Sequence, residues 1–394
     1  MELKLLAYTH LPKDSGKFNL EESLNFCAKM AGICYMAGDF NSILNESDEA
    51  TSKRLNQTLN SGHHSVFDHV KLTFELKNIS KIIAMTLNNE KDYSTSEKSA
   101  RYTHFENIDD SSSTLYDKWY NKLWPIIKDT YPQMYNQKLK DPELPYKKLA
   151  QENARYFVSI FSRTTTMGHT LSLRQLNYVL FMMEEFIKNH DKQNDFYCKV
   201  SKEFEEFVPL FKEYRVEKLI PTGKQRKLSL FGDENYRNID DIFSYVYQTS
   251  FKASFACVAQ NHRHRSEASS IYLLDNYEFV IPDIIKENKS LKDEWLEDAN
   301  KVKGSFPQGQ LVQVNQTGTL DTLFLKCTER LCGNAQLEIM HVTLNTVNKF
   351  TNNSPYGHVL KEKLNGETAR CRFKDSAKCT RPCIFAKNQC LRKI

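Results

Sequence analysis

Apolar residues recur at two spacings along the chain, and each spacing predicts a type of element. Between residues 18 and 36, Leu20, Leu24 and Ala31 fall on one face of a helix. Val70 to Leu76 instead alternates apolar and polar positions, as a half-buried strand does. The first half continues with predicted helices over residues 48–60, 79–87, 115–135, 146–161 and 171–188, and with a polar loop over residues 109–114.

The second half shows elements in a similar order. Residues 242–247 have the pattern of a strand and residues 251–261 that of a helix, which mirrors the first predicted strand and helix. Further helices are predicted over residues 320–331 and 335–350. Residues 216–238 hold Pro, Gly and a basic run, which is typical of a junction between units. The repeated order favours a duplication, although any chain of mixed helices and strands offers some such pairs.

Composition narrows the class of protein. The chain has 394 residues with 40% apolar and 26% charged residues, which can support ordinary cores under a polar surface. A net charge of +5 does not predict a nucleic-acid-binding surface but suits a phosphorylated small molecule. No segment has the roughly 20 apolar residues of a membrane helix, and no signal peptide is visible, so we expect a cytoplasmic protein with free or metal-bound cysteines.

A dense group of cations follows the first predicted helix of the second half. Residues 261–267 read Asn-His-Arg-His-Arg-Ser-Glu. Two guanidiniums and two imidazoles this close repel each other when all are charged, unless an anion is bound nearby. Arginine offers planar, bidentate hydrogen bonds that fit phosphate. The cluster therefore indicates a phosphate-bearing ligand, and the alternative for such a cluster in isolation is a solvated basic turn.

A second unusual run precedes the first predicted strand. Residues 62–69 read Gly-His-His-Ser-Val-Phe-Asp-His, which places His63, His64 and His69 close together. Three imidazoles suggest a metal, but no carboxylate or cysteine completes an evident ligand set. A plain turn with one capping histidine is the alternative.

These runs resemble motifs of the flavin-dependent thymidylate synthases. Gln260 and the Arg263-His264-Arg265 triplet match the first part of a family signature, while residues 268–272 lack its downstream part. The first half has the complement. Residues 88–90 read Asn-Asn-Glu where the basic triplet is expected, and the downstream part is matched by Glu97, Ser99, Arg101 and Tyr102.

Two more arginines complete the resemblance. The pair Ala154-Arg155 matches one nucleotide-binding arginine of the family, and Arg330, just before Ala335, matches another. The second half has Lys303 at the position of Arg155, and the first half has Met182 near that of Arg330. Each arginine alone is more often a surface or ion-pair residue. Their functional interpretation depends on their distribution, because one lies in each half of the sequence, as the two parts of the signature do.

The resemblance implies roles for individual residues. It implies that Arg263, His264 and Arg265 contact the flavin with His63 and Ser65, and that Arg263 and His63 serve the reaction directly. The residues expected to bind the nucleotide are Gln260, Glu97, Ser99, Ala100, Arg101, Tyr102, Arg155 and Arg330. The family needs no cysteine nucleophile, and Cys257 is predicted to be a core residue.

The resemblance also implies the architecture and the reaction. The expected fold is α+β, with two tandem, diverged units of helices packed on a small, mainly antiparallel sheet. The predicted domains are residues 1–215, residues 216–353 and a basic, cysteine-rich tail of residues 354–394. The implied reaction is reductive methylation of dUMP to dTMP with methylenetetrahydrofolate, FAD and NADPH. The implied assembly is a homodimer that imitates a tetramer, since two fused copies need half as many chains.

Two alternatives to this function stay open. One is a related flavoenzyme that modifies another pyrimidine nucleotide at C5. The other is a non-catalytic protein that binds a nucleotide or a nucleic acid through its basic tail. Retention of complementary residues in both halves argues against simple decay of an enzyme.

The tail carries its own candidate site. Four cysteines lie close together in a segment with little apolar sequence, at Cys371, Cys379, Cys383 and Cys390. Four thiolates at short range suit a zinc ion or an iron–sulfur cluster. The alternative is a set of cysteines that bind no metal.

Overall fold

A computed structural model of the protein describes residues 1–9, 16–34, 39–99, 105, 108, 110–221, 227–374, 383 and 392–394. Its strands are β1 (Glu2–Tyr8), β2 (Lys71–Ile79), β3 (Tyr93–Glu97), β4 (Thr165–Ser172), β5 (Ile242–Phe243), β6 (Val246–Ser254), β7 (Ala268–Leu273) and β8 (Leu311–Thr319). Its helices are α1 (Leu20–Ile33), α2 (Phe40–Leu44), α3 (Asp48–Ser61), α4 (Lys81–Asn89), α5 (Asp110–Thr130), α6 (Leu144–Ala154), α7 (Leu173–Asn189), α8 (Asp195–Phe207), α9 (Phe255–Asn261), α10 (Asp283–Lys286), α11 (Lys289–Lys301), α12 (Leu320–Arg330), α13 (Leu337–Asn353) and α14 (Gly357–Lys363). The predicted α+β class is confirmed.

The chain divides into two contact units. The first unit comprises Met1–Lys98 and Thr165–Leu228, and the second unit comprises Ser99–Thr164 and Ser229–Ile394. The boundary after Leu228 falls within the predicted junction, but the helices α5 and α6 belong with the second sheet rather than the first. The predicted sequence domains remain a prediction, since contacts alone do not define ancestral copies.

The first unit contains a four-stranded antiparallel sheet in the order β1-β2-β4-β3. The alternation predicted for the first strand is confirmed, because Leu72, Phe74 and Leu76 are all buried on one face of β2. The strand runs on to Ile79 through a register shift after Leu76. Ser80 then begins α4, whose residues from Ile82 to Asn89 are all buried.

The second unit contains a sheet of the same form, in the order β5-β6-β8-β7. The long central strand β6 pairs with β8 along its whole length, from Val246 to Ser254. Ser254 caps α9 by accepting a hydrogen bond from the backbone of Cys257 at 3.1 Å. Both sheets therefore place a helix directly after their second strand, and a further strand directly after that helix.

The helices α5 and α11 form an aromatic core of the second unit. Trp119 of α5 meets Trp295 of α11 edge to face, with ring centroids 4.7 Å apart, and Phe157 lies 4.5 Å from the same ring. The Trp119 ring nitrogen donates to the Asp298 carboxylate at 2.9 Å, so its buried polar atom is satisfied. This packing fixes the segment that leads into Arg155.

Some predicted elements differ from the structure. The predicted polar loop at residues 109–114 is wrong, because α5 begins at Asp110 and its buried Ser112 extends the apolar face back from Leu115. The strand predicted at residues 242–247 is a two-residue strand, a turn and the start of β6. The helix predicted from residue 251 begins at Phe255, because β8 holds the preceding residues in the sheet. No helix within the described residues is long and apolar enough to span a membrane.

Candidate active site

The basic turn after α9 lies in the second unit and separates its charges from its histidine. Arg263 and Arg265 are exposed, whereas His264 is buried. His264 Nε2 accepts a hydrogen bond from Arg330 Nε at 2.7 Å, which requires a neutral imidazole. Burial, together with the nearby charges of Arg330 and Lys326, lowers the pKa of His264 to about 2. The repulsion expected from the sequence is therefore relieved by neutralising the imidazole.

Arg330 connects this turn to α9. It lies in the last turn of α12, and its second terminal nitrogen donates to the backbone carbonyl of Gln260 at 3.1 Å. The same side chain thus holds the end of α9 and the imidazole of His264. Arg330 therefore lies beside the basic turn.

A glutamine links the two arginines that the sequence divides between its halves. Gln336 Oε1 accepts a hydrogen bond from Arg155 at 2.5 Å and another from the side-chain amide of Gln260. Gln336 Nε2 donates to the hydroxyl of Tyr156 at 2.5 Å. Arg155, Gln336, Gln260 and Arg330 therefore form a continuous hydrogen-bonded cluster within the second unit.

Glu338 forms several hydrogen bonds next to this cluster. Its carboxylate accepts hydrogen bonds from the backbone and the hydroxyl of Ser254, at 2.7 and 2.6 Å, and from Tyr156 at 2.9 Å. Burial raises the pKa of Glu338. Because Ser254 also caps α9, Glu338 ties the start of that helix to the residue next to Arg155. Both Gln336 and Glu338 lie in the run Asn-Ala-Gln-Leu-Glu-Ile of residues 334–339, which follows Arg330. No role was predicted for either residue from the sequence.

The backbone beside Arg155 is held by a glycine at close range. Gly309 donates its backbone N–H to the Tyr156 carbonyl at 2.8 Å. A Cβ at Gly309 would lie 2.7 Å from the Cβ of Tyr156, which no side chain allows without a shift. Glycine is therefore required for this approach.

A cavity of about 250 Å³ is lined in part by Gln336 and Glu338. Its lining includes Lys252, Asp283 and His341 but neither Arg155 nor Arg330. Pockets for drug-sized ligands are usually larger, roughly 300–1,000 Å³. We therefore place the candidate site at the arginine cluster rather than in this cavity. Cys257 is also no candidate, because it is buried and burial raises the pKa of its thiol, as expected of a core residue.

The histidine run lies in the first unit, as a short 3-10 helix before β2. His63 precedes this helix and Ser65 is exposed on it. His64 is instead an interior residue, with its ring nitrogens 2.8 Å from the Tyr178 hydroxyl and 3.0 Å from the Leu59 carbonyl. Asp68 accepts from Ser172 at 2.5 Å and pairs with Arg174 at 2.5 Å.

The downstream part of the signature is only partly described. Glu97 ends β3, where it pairs with Lys81 and accepts from the Asn88 amide at 3.2 Å. Ser99 is half-buried. Ala100, Arg101 and Tyr102 lie outside the described residues, so their predicted roles stay predictions.

Strand registers show which residues of the two units correspond. Counted from the helix caps Ser80 and Ser254, Glu97 corresponds to Ile271. The sheets agree independently, because Glu97 lies opposite Met167 and Ile271 lies opposite Val314, at matching places on β4 and β8.

The same count corrects the predicted counterpart of the basic triplet. Arg263, His264 and Arg265 correspond to Asn89, Glu90 and Lys91, one residue later than predicted. Each half of the sequence therefore keeps one part of the signature and has unrelated residues in place of the other part.

The cysteine tail is also partly described. Cys371 is exposed and Cys383 is half-buried, while Cys379 and Cys390 lie outside the described residues. Among the residues that the structure does describe, no group of three or more His, Cys, Asp or Glu could hold a metal. The predicted four-cysteine site stays a prediction.

Comparison with known proteins finds one family model that matches part of the chain. Residues 18–207, a little under half of the chain, match the family model described as thymidylate synthase complementing protein. The predicted resemblance to this family is therefore confirmed over these residues. No curated protein matches the chain.

Solved structures similar to this chain include thymidylate synthase X (ThyX) from Helicobacter pylori with FAD and dUMP. That match has 16% identity, covers 55% of this chain and 95% of that chain, and has a TM-score of 0.31. Another is the UMP/dUMP methylase PolB from Streptomyces cacaoi bound with 5-Br dUMP. It has 15% identity, covers 56% of this chain and 91% of that chain, and has a TM-score of 0.32.

Proposed function

We propose that the chain is a flavin-dependent thymidylate synthase, a methyltransferase that converts dUMP to dTMP with methylenetetrahydrofolate, FAD and NADPH. The observation that carries this proposal is the cluster of Arg155, Gln336, Gln260 and Arg330. It gathers the two nucleotide arginines of the signature, although one comes from each half of the sequence. The family match over residues 18–207 supports the class of enzyme.

The basic turn fits a flavin dinucleotide. Arg263 and Arg265 present exposed guanidiniums, which bind phosphate oxygens through paired, charge-assisted hydrogen bonds. Neutral His264 lies between them and adds no third charge. When bound, the reduced flavin supplies a hydride and thereby carries the redox chemistry of the reaction.

The cluster fits a pyrimidine nucleotide. Gln260 Oε1 is buried and has no hydrogen-bond partner within the described residues. Leaving a buried acceptor unpaired costs about 1–3 kcal/mol, and the ring N3–H of a uracil is a donor that would satisfy it. Arg155 and Arg330 would bind the nucleotide phosphate or stabilise negative charge that develops on the ring. Gln336 fixes the guanidinium of Arg155 in place.

The remaining predicted residues complete the proposed site. His63 and Ser65 are proposed to meet the flavin and folate, and Arg263 and His63 to act in the reaction itself. The residues proposed to hold the nucleotide phosphate are Glu97, Ser99, Ala100, Arg101 and Tyr102.

We also propose that the chain is a tandem duplication that assembles as a homodimer. The two sheets share strand order, strand direction and the position of their helices. Matching segments before β4 and β8 also face each other: Ile160 donates to the Phe306 carbonyl at 3.0 Å, and Gln308 donates to the Val158 carbonyl at 2.8 Å. Such reciprocal contact is typical of two copies related by a twofold axis.

The decisive experiment combines cofactor release with a product assay. Purified protein should be yellow and should release FAD on denaturation. Incubation with dUMP, methylenetetrahydrofolate and NADPH should then yield dTMP, measured by chromatography. Product formed only from a different pyrimidine nucleotide would favour the alternative flavoenzyme. A colourless protein that cannot be reconstituted with FAD would contradict the proposal.

A matched pair of variants tests the nucleotide cluster. Arg155→Ala should weaken dUMP binding about 10- to 100-fold, the cost of a charged hydrogen bond, with FAD retained. Lys303→Ala alters the corresponding residue of the second half and should leave dUMP affinity unchanged. Equal effects of the two variants would count against the proposed division of roles.

A further inference from the structure

A fully buried ion pair lies beneath the basic turn. Lys326 of α12 and Glu267 have side chains that are 0% and 1% exposed, and their charged atoms are 3.1 Å apart. Removing two charges from water costs several kcal/mol per ion, on the order of what the pairing returns. Well-packed apolar residues in the same space are often as stable or more so. The pair is therefore not explained by stability alone.

The ion pair belongs to a larger buried network. Lys326 also donates to Gln316 Oε1 at 2.9 Å, while the Tyr247 hydroxyl donates to Glu267 at 2.7 Å. Gln316 Nε2 lies 2.7 Å from the same hydroxyl. Burial raises the pKa of Tyr247, so its hydroxyl stays protonated and can donate. Four side chains from β6, β8, α12 and the loop before β7 thus hold one another in fixed positions.

This network is hydrogen-bonded to residues at both ends of the basic turn. Before the turn, Asn261 Nδ2 donates to Gln316 Oε1 at 2.9 Å. After the turn, the backbone N–H of Glu267 donates to the His264 carbonyl at 3.0 Å. Arg263 and Arg265 lie between these two anchored residues. Their backbone is therefore tied to the buried network rather than only to its neighbours in sequence.

The first unit lacks the network at every corresponding position. Counted from the caps Ser172 and Thr319 of the following helices, Gln316 corresponds to His169 and Lys326 to Val179. The strand registers assign Tyr93 to Glu267 and Leu72 to Tyr247.

In their place the first unit has an aromatic contact. The rings of Tyr93 and His169 stack with centroids 5.2 Å apart. This unit also has Asn89, Glu90 and Lys91 instead of the basic triplet. The sheet therefore folds without the ion pair, and the ion pair occurs together with the basic turn.

We propose that Lys326 and Glu267, with Tyr247 and Gln316, are positioning residues that preorganise Arg263 and Arg265 for a phosphate-bearing cofactor. This inference rests on the proposed function, in which that cofactor is FAD. Holding a turn in its bound conformation increases affinity by removing the entropy cost of ordering it on binding. The buried residues themselves touch no ligand and act through the turn.

The test measures FAD affinity of the full-length protein by fluorescence titration at several salt concentrations. The double variant Lys326→Met with Glu267→Gln removes both charges and leaves neither unpaired. We expect it to weaken FAD binding about tenfold, which is 1.4 kcal/mol, while its salt dependence stays as steep as in the wild type. The slope persists because both exposed guanidiniums remain.

Two further variants calibrate this result. Arg265→Ala removes a proposed direct contact and should both weaken binding and flatten the salt dependence. Lys252→Met breaks an exposed ion pair with Glu278 on the same sheet and should change neither quantity. A folded double variant with wild-type FAD affinity, or one whose salt dependence flattens as in Arg265→Ala, would overturn the inference.

If the double variant does not fold, a single and less disruptive substitution tests the inference instead. Tyr247→Phe removes only the hydroxyl that bridges Glu267 and Gln316, and should weaken FAD binding about two- to fivefold, because the network that holds the turn loses two hydrogen bonds. Unchanged affinity in this variant would overturn the inference. Failure of the wild-type protein to bind FAD is a separate outcome, which would overturn the proposed function first.

Discussion

The two units of the molecule have the same sheet but different chemistry inside it. Both have an antiparallel sheet with matching strand order, and both place a helix with serine at its N-cap position after the second strand. The first unit fills its interior with a stack of Tyr93 on His169, whereas the second unit buries Lys326 against Glu267. The comparison teaches that this fold does not need a charge pair at these interior positions, so the Lys326–Glu267 pair of the second unit requires a functional explanation.

The largest expected difference between the units concerns flavin binding. Arg265→Ala should weaken FAD affinity about 10- to 100-fold, because a charged hydrogen bond contributes about 1.5–3 kcal/mol. Lys91→Ala changes the corresponding residue of the first unit and should leave FAD affinity unchanged. Titration followed by flavin fluorescence checks both variants. Equal losses would mean that the two turns contribute alike, and the comparison between units would fail.

Sequence reasoning located the elements whose signal is local. The helices α1 and α7 repeat apolar residues at helical spacing, and β2 alternates along its length. The central strands β4 and β8 were missed. In β8 the buried positions include Asn315 and Gln316, so its pattern is not that of an apolar core strand. Its pairing on both edges decides its conformation, and such contacts between distant residues are invisible in a local pattern.

The residues of the candidate site also differ in whether they could be predicted from the sequence. Arg155, Gln260, His264 and Arg330 were predicted from motifs, and the structure brings them together in the second unit. Lys326 could not be predicted. A lysine on an amphipathic helix is normally a surface residue, and its burial depends on a carboxylate from another element. The assignment of function to residues was thus strongest where a family signature exists, and absent where only packing gives a residue its role.

An effect of intermediate size, on the pH dependence of stability, is expected from the two buried histidines. Burial lowers the pKa of His264 to about 2, with Arg330 and Lys326 adding to the shift, and burial lowers the pKa of His169 to about 4 against the opposing charge of Glu97. Both folded-state values lie below the usual 6.5, so the unfolded chain binds more protons. The stability that each neutral ring contributes is present above pH 6.5 and is lost as the pH falls.

Urea unfolding at pH 7 and pH 5 measures this loss. Each histidine should account for about 2 kcal/mol between these pH values, since one pKa unit corresponds to 1.36 kcal/mol. His264→Gln and His169→Gln should each remove one share of the pH dependence. Below pH 4 the two units should differ, because His169 becomes protonated in the folded state while His264 stays neutral. An unchanged pH dependence in either variant would contradict the assigned burial of that ring.

The smallest expected effect concerns a place where the strands β2 and β6 differ in backbone. Asn78 of β2 has a φ of 53° at the register shift between Leu76 and Ile79, whereas β6 pairs with β8 without a shift. Counted from the helix caps, Asn78 corresponds to Lys252. A β-branched residue is disfavoured at positive φ by about 1–2 kcal/mol, so Asn78→Val should lower the free energy of unfolding by that amount.

Lys252→Val is the matched substitution in the second unit. Lys252 lies in regular strand, where valine is favoured, and its exposed pair with Glu278 contributes little. The free energy of unfolding should therefore change by no more than about 0.5 kcal/mol. A similar cost at both positions would mean that the strand β6 carries strain equal to that of β2. The units would then share their backbone as well as their strand order, and the register shift would no longer distinguish them.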